Sequence, residues 1–231
     1  MLIAPLWHTV LVIAALVAVS TLGLGARANS DAAAHHVRLY WHTLGWEWTL
    51  AAMVFWGLWL RRTPVSTLLG AWPPGAGAWL RDAAIGVVFW MAAALGLRLL
   101  VALLTLAHLR LPQGTVAAMA PSNASELLLF LVLCLSAGFC EELVFRGYLQ
   151  QQAARIAHDR AWIGVVASAL LFGIAHLYQG AAGVILIALF GAMFSLLARS
   201  RGSLRPGMLA HTWNDALVGI TFFLLHRSHV L

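Results

Sequence analysis

Cys140-Glu141-Glu142-Leu143-Val144-Phe145-Arg146-Gly147 sets two adjacent carboxylates and a guanidinium inside a run that otherwise reads as membrane helix, with Leu127 to Cys140 before it. In hydrocarbon each such group costs at least about 2.5 kcal/mol, so ionisable residues at that depth mark a functional site by default. Helix geometry sorts the three. Glu142 and Arg146 are i,i+4 neighbours with the acid N-terminal, the better orientation for an ion pair. Glu141 lies about 100° round the helix and cannot share that partner equally. Arg146 is therefore expected to neutralise one carboxylate, leaving the other to face something else.

The rest of the sequence agrees with a membrane setting. Of 231 residues, 62% are hydrophobic and 10% charged, against about 25% charged in a soluble domain. Mean hydropathy is +0.87. The fold class read from this is all-α: one polytopic transmembrane helical bundle of about seven to eight spans over 1–231. Every basic side chain besides histidine is arginine. No basic run is interleaved with aromatics, so nucleic acid is not an expected partner; membrane lipid is. Cys134 and Cys140 fall on different faces of one predicted helix, too far apart to bridge.

Outward from the acidic motif, the apolar runs order themselves. Leu6 to Leu24 is the first. Ala26-Arg27-Ala28 after it resembles a small-residue cleavage site, but no arginine or lysine precedes Trp7 and the run is long for a signal peptide, so a retained span is expected. Residues 25–45 read as a polar loop whose histidines, His35, His36 and His42, are scattered rather than metal-binding. Trp46 to Leu60 is the second span, its tryptophans suiting the headgroup level. Thr63 to Trp79 reads as a Pro/Gly-rich connector, and Asp82 to Leu106 as the third span with Arg98 inside it. After a loop over Arg110–Ser122, Asn123 and Glu126 form a capping-box pattern opening the fourth helix, which runs through the acidic motif to about Ala154. Trp162 to His176 and Val184 to Ala198 make a hairpin about Tyr178–Gly183, and Pro206 opens the last span, to about Leu225. Alternating loops collect Arg61, Arg62, Arg81, Arg155, Arg160, Arg199, Arg201 and Arg205 on one side, against Arg27, Arg38, Arg110 and Arg227 on the other. That bias places the first side and the N-terminus in the cytoplasm of a plasma-membrane protein.

Further polar groups interrupt the later helices. Gly164, Ser168, Phe172 and His176 repeat every fourth residue, a small-residue face suited to close helix approach that leads to an imidazole. His211 and Asp215 are i,i+4 on the last helix, with Asn214 beside them and Gly207 and Gly219 on the same spacing. At about 1.5 Å per residue, Glu141 and His176 reach a similar depth, whereas His211 lies only about 9 Å beyond Arg205. Convergence therefore requires a last helix that starts deep or tilts. Two carboxylates, an arginine, two histidines and an Asn-Asp pair on three helices supply the parts of a hydrolytic site. Intramembrane acids and imidazoles also make proton relays, so a proton-coupled transporter is a competing class. A non-catalytic scaffold or immunity protein is another.

Glu-Glu-x-x-x-Arg at Glu141–Arg146, Phe-x-x-x-His at Phe172–His176 and His-x-x-x-Asn/Asp at His211–Asp215, in that order, resemble the CPBP family of type II CAAX prenyl endopeptidases and bacteriocin-processing or abortive-infection membrane proteins. Gly147 and the Arg-Gly-Ser-Leu-Arg-Pro turn before His211 add to the likeness. It covers roughly 120–225, expected to be a catalytic core; the spans of 1–120 have no assigned role. The resemblance implies an intramembrane endopeptidase with a cavity open to the cytosol and a peptide or protein substrate, lipidated or not. Glu141 would be the general base and His176 would help it polarise water. Arg146 and Glu142 would support the acidic pair, His211 and position 215 would form the oxyanion site, and Phe172 and Asn214 would touch substrate. Asp215 departs from the commoner Asn, and an ionised Asp cannot donate to an oxyanion. Asp215 is then protonated, or Asn214 donates, or Asp215 orients His211. No cofactor is favoured; the alternative is a zinc-dependent peptidase with Glu141, His176 and His211 as ligands.

Overall fold

The computed structural model describes residues 1–27, 36–106, 108 and 119–227, and the regular elements among them are helices. Ala28, Asp31, His35 and most of the 110–122 loop lie outside the described residues. The elements are α1 (Leu6–Arg27), α2 (His36–Arg61), the short α3 (Ser66–Leu69), α4 (Ala76–Leu106), α5 (Ala124–Glu141), a π-helical segment (Glu142–Leu149), α6 (Gln150–Ile156), α7 (Ala161–Ala175), a 3₁₀ turn (Leu177–Gln179), α8 (Gly180–Arg201) and α9 (Arg205–Arg227). Four stretches are long and apolar enough to cross a membrane: Ala76–Leu106, Ala124–Ile156, Leu177–Arg201 and Arg205–Leu225. Leu6–Thr21 and Ala161–Ala175 are shorter apolar helices. This is a multi-pass membrane protein with four long candidate spans among the described residues, fewer than the seven to eight expected from the sequence.

The stretch Ala124–Ile156 is the post round which the others stand. It opens as expected: Asn123 Oδ1 accepts from Glu126 N at 3.0 Å. The reciprocal half of the box goes one residue further back, where Glu126 Oε2 accepts from Ser122 N at 2.8 Å. The helix passes through the acidic motif without a break, but residues 142–149 widen to π geometry and all eight are buried. Isolated widenings of this kind concentrate at functional sites. Here every side chain meets protein, because α2, α3, α7 and α8 surround the segment.

Small residues set the packing. Gly164 lies against the Gln150 carbonyl, and Ser168 Oγ donates to Phe145 O at 2.9 Å, so α7 presses its small face onto the post. Gly138 lies against Thr212 and Gly219 against the Phe130 ring, which brings α9 equally close. α4 is the outermost stretch: Asp82, Gly86 and Ala93 are buried, while Val88, Leu95, Leu99 and Leu103 face outward. Gly86 sits against the Pro206 carbonyl, and Asp82 Oδ2 accepts from Arg205 Nε at 2.8 Å. Arg98 is exposed on this outer helix.

Several boundaries differ from the sequence reading. α2 starts at His36, so His36 and His42 are helical rather than loop residues. Tyr40 and Leu44 explain the extension: both are buried against Leu133, continuing the inward stripe of α2 toward the N-terminus. The connector is shorter than 63–79, since α3 interrupts it and α4 begins at Ala76. His176 is the C-cap of α7 and not its last turn. The hairpin turn is also tighter than expected, with α8 starting at Gly180.

The depth mismatch at His211 resolves through the connector. A Cβ placed on Gly147 would meet Leu204 at 3.0 Å and Leu68 at 3.3 Å. Leu204, just before α9, is therefore level with Gly147, well inside the post. Leu204 N and Ser203 Oγ both bond to Leu69 O, at 3.3 Å each, so α3 rises beneath the start of α9 and supports it. From that level α9 and the post run together, and His211 arrives opposite Glu141 and Glu142.

Candidate active site

Glu142 and Arg146 form the buried half of the site, each 1% exposed. Glu142 Oε1 lies 3.0 Å from Arg146 Nη1. The same oxygen lies 3.0 Å from His211 Nδ1. A carboxylate accepts, so Nδ1 of His211 carries a proton directed at Glu142. Arg146 Nη2 also donates to Gly191 O at 3.4 Å, and its guanidinium carbon stands 4.1 Å from the centre of the Phe172 ring. Gly191 permits this: a Cβ there would meet Phe172 at 2.9 Å.

Glu141 is the open half. Its side chain is 22% exposed, and Oε2 lies 3.6 Å from His211 Nε2. Asp215 Oδ2 lies at 3.6 Å from that same nitrogen. Neither is a direct hydrogen bond at that length; both suit a shared small movement or a bridging water. Asp215 Oδ1 accepts from Asn214 Nδ2 at 3.0 Å, and Asn214 Oδ1 accepts from Trp90 Nε1 at 3.3 Å. His176 Nδ1 lies 2.9 Å from Phe172 O. A carbonyl only accepts, so Nδ1 is the donor, and Nε2 of His176 keeps its lone pair.

Two cavities meet at Glu141. One, of about 220 Å³, lies toward α1 and α2 and is mostly apolar. The other, of about 350 Å³, reaches α8 and α9 and is bordered by Phe172, Phe190, His211, Asn214 and Asp215. Thr43, Glu47, Met119, Glu141, His176 and Tyr178 border both and form the wall between them. The structure thus brings Glu141, His176, His211, Asn214 and Asp215 to connected space. It sets Glu142 and Arg146 behind them. Phe172 is 3% exposed and stacked on Arg146, so only its edge is available to a bound molecule.

Glu47 was not among the residues singled out from the sequence. It comes from α2, is 7% exposed, and accepts from Ser136 Oγ at 2.5 Å, one turn before Cys140. Among the described residues no arginine or histidine lies within ion-pair distance of it. The rule that flagged Glu141 would have flagged Glu47 too, but its neighbours Trp46 and Trp48 made the stretch read as headgroup level.

The zinc alternative can be tested on the donors themselves. His176 and His211 each direct Nδ1 to an oxygen of the protein, which leaves Nε2 as the nitrogen either could offer a metal. Among the described residues no three His, Cys, Asp or Glu side chains are gathered as a metal-binding group. Without a third gathered ligand, the described donors do not make a zinc centre.

Residues 123–217 match the family model described as type II CAAX prenyl endopeptidase Rce1-like. That stretch runs from the cap of α5 to just past Asp215 and contains the whole constellation except Glu47. No curated protein and no solved structure matches the chain.

Proposed function

With an Rce1-like domain over residues 123–217 as the premise, we propose that the protein is an intramembrane endopeptidase that hydrolyses a peptide bond with a water activated by Glu141 and His176. The observation that carries this reading is the single wall on which Glu141 and His176 border both cavities, so that a peptide lying across it has room on either side. Glu141 takes a proton from water as the oxygen bonds to the carbonyl carbon. His176 Nε2 accepts the water's other hydrogen and aims its lone pair. His211, as an imidazolium whose Nδ1–H is held by Glu142, turns Nε2–H toward the oxygen that becomes negative, the role in which a fixed donor contributes most. Glu141 then returns its proton to the amide nitrogen, the C–N bond breaks, and acid and amine products leave. Asp215, held by Asn214, orients His211 instead of donating to the oxyanion. The substrate is a peptide or membrane-protein segment, with or without a lipid attached.

The remaining topology belongs to the same proposal. α1, α2 and α7 complete a seven-span bundle in the plasma membrane, and the arginine-rich loops place the N-terminus in the cytoplasm. Comparing protein termini in cells carrying wild-type or Glu141→Ala protein tests the activity. Uncleaved termini that accumulate equally with Glu141→Ala and His176→Ala support it. Full processing by either variant overturns it.

A further inference from the structure

Glu47 is the acid on the shared wall that the reaction above leaves unused. It stands on α2, outside the matched stretch 123–217, and borders both cavities that meet at Glu141. The residue is more than nine-tenths buried. One oxygen, Oε2, accepts from Ser136 Oγ. The other, Oε1, has no hydrogen-bond partner among the described residues. Unlike Glu142 Oε2, which is unpartnered and sealed in protein, Glu47 Oε1 is not closed off from the space beside it.

A serine hydroxyl satisfies one lone pair and leaves the charge unanswered. Among the described residues no guanidinium borders either cavity, and the chain contains no lysine. Glu142 has Arg146 as its counter-ion; Glu47 has none. A carboxylate in such surroundings takes up a proton or acquires a positive partner. Glu141 and Asp215 border the same joined space, and they favour a cation there as well. The position that would supply the partner is the one a peptide occupies.

We propose that Glu47 selects the substrate by holding a cationic nitrogen of the peptide, on a lysine or arginine side chain or at the amino terminus. Glu47 Oε1 accepts from that nitrogen while Ser136 keeps Oε2 in place. An acidic side chain at the same point would face Glu47, Glu141 and Asp215 together and is rejected. Ser136 precedes Glu141 by five residues. That is about 7.5 Å along the helix, or roughly two residues of extended peptide. The cation is therefore expected about two residues from the cleaved bond. The proposal deepens the endopeptidase reading and rests on it for the ligand being a peptide.

The test reads binding apart from cleavage. The full chain carrying Glu141→Gln, purified in detergent, is titrated into an apolar, amino-terminally acetylated peptide of leucine and alanine bearing an uncharged dye. One lysine is moved along that peptide, and acetyllysine or glutamate replaces it at each position; fluorescence anisotropy gives the affinity. At one position lysine should bind about tenfold or more tighter than acetyllysine, with glutamate weakest. Adding Glu47→Gln should erase the difference, and Glu47→Asp should keep part of it, at unchanged unfolding midpoints. A lysine-free peptide with its amino terminus free or acetylated forms the second arm, and a gain from the free amine alone identifies the terminus as the source. Equal binding in every such pair, a preference that survives Glu47→Gln, or no binding by any peptide overturns the proposal. The same peptides are then offered to protein with Glu141 intact. A preference that depends on Glu47 without any cleavage refutes the endopeptidase reading and leaves the selection by Glu47 standing; cleavage without the preference does the reverse.

Discussion

Glu141 and Glu142 are adjacent in sequence and unlike in surroundings, and substitution should separate them. Glu141→Gln keeps the shape of an open, weakly tied side chain. It is expected to lower cleavage by about 100-fold or more with an unchanged unfolding midpoint, because it removes proton transfer alone. Glu142→Gln removes the charge facing a buried guanidinium and the acceptor for His211 Nδ1. That should cost about 3–5 kcal/mol of stability, since an uncompensated buried charge remains. Cleavage and unfolding measured on the same preparations distinguish the two. Glu47→Gln is a third case: it keeps the size of a side chain held by a serine hydroxyl, so stability should hold. Turnover should fall several-fold as one carboxylate is lost from the wall shared with Glu141; wild-type turnover in Glu47→Gln would make the residue a packing element only.

At the scale of the element, the pairings set by residue spacing were legible. The i,i+4 relation of Glu142 and Arg146 appears as a 3.0 Å contact, and the small residues of α7 do face the post. What was not legible is the π geometry of Glu142–Leu149. Leu143, Val144 and Phe145 suit either winding, and only contacts from α2, α3, α7 and α8 favour burying every side chain of the segment. The early start of α2 was hidden for a related reason: Arg38 and His42 looked like loop residues until Tyr40 and Leu44 were seen packed inward. Glycine contacts give a stability test at this scale. A Cβ at Gly57 would overlap the buried His8 ring, and one at Gly191 would push Phe172 off Arg146. Gly57→Ala and Gly191→Ala should each cost about 1–3 kcal/mol as overpacked sites. Only Gly191→Ala should also slow cleavage, because only it disturbs the guanidinium behind the acids.

Across the whole molecule, the sequence located the convergence better than it located the membrane crossings. Hydropathy marked α4, α8 and α9 clearly, whereas α2 carries enough polar groups to fall outside the long apolar set. The depth of His211 could not be read from rise per residue, since it depends on Leu68 and Leu204 meeting across a connector with no periodic signal. The orientation remains testable. After replacing the buried Cys134 and Cys140 by serine, single cysteines introduced beside Arg160 and Arg201 should react only with membrane-permeant maleimides in intact cells. Labelling by an impermeant reagent would reverse the proposed topology.

The first helix has an effect on how the protein is made. Ile3 N donates to Gln152 Oε1 at 2.9 Å and Ala4 O accepts from Gln152 Nε2 at 2.8 Å. His8 Nδ1 lies 2.8 Å from the Tyr148 hydroxyl and Nε2 lies 2.8 Å from Met53 O. Residues of α1 thus bond to residues synthesised far later, and contacts so distant along the chain form slowly. Until the post emerges, a helix bearing an imidazole and a hydroxyl must wait at the insertion machinery with only its contact to α2 available. Maturation should therefore lag translation, and a chain truncated before Tyr148 should be a substrate for membrane quality-control proteases while one truncated after Ile156 persists longer.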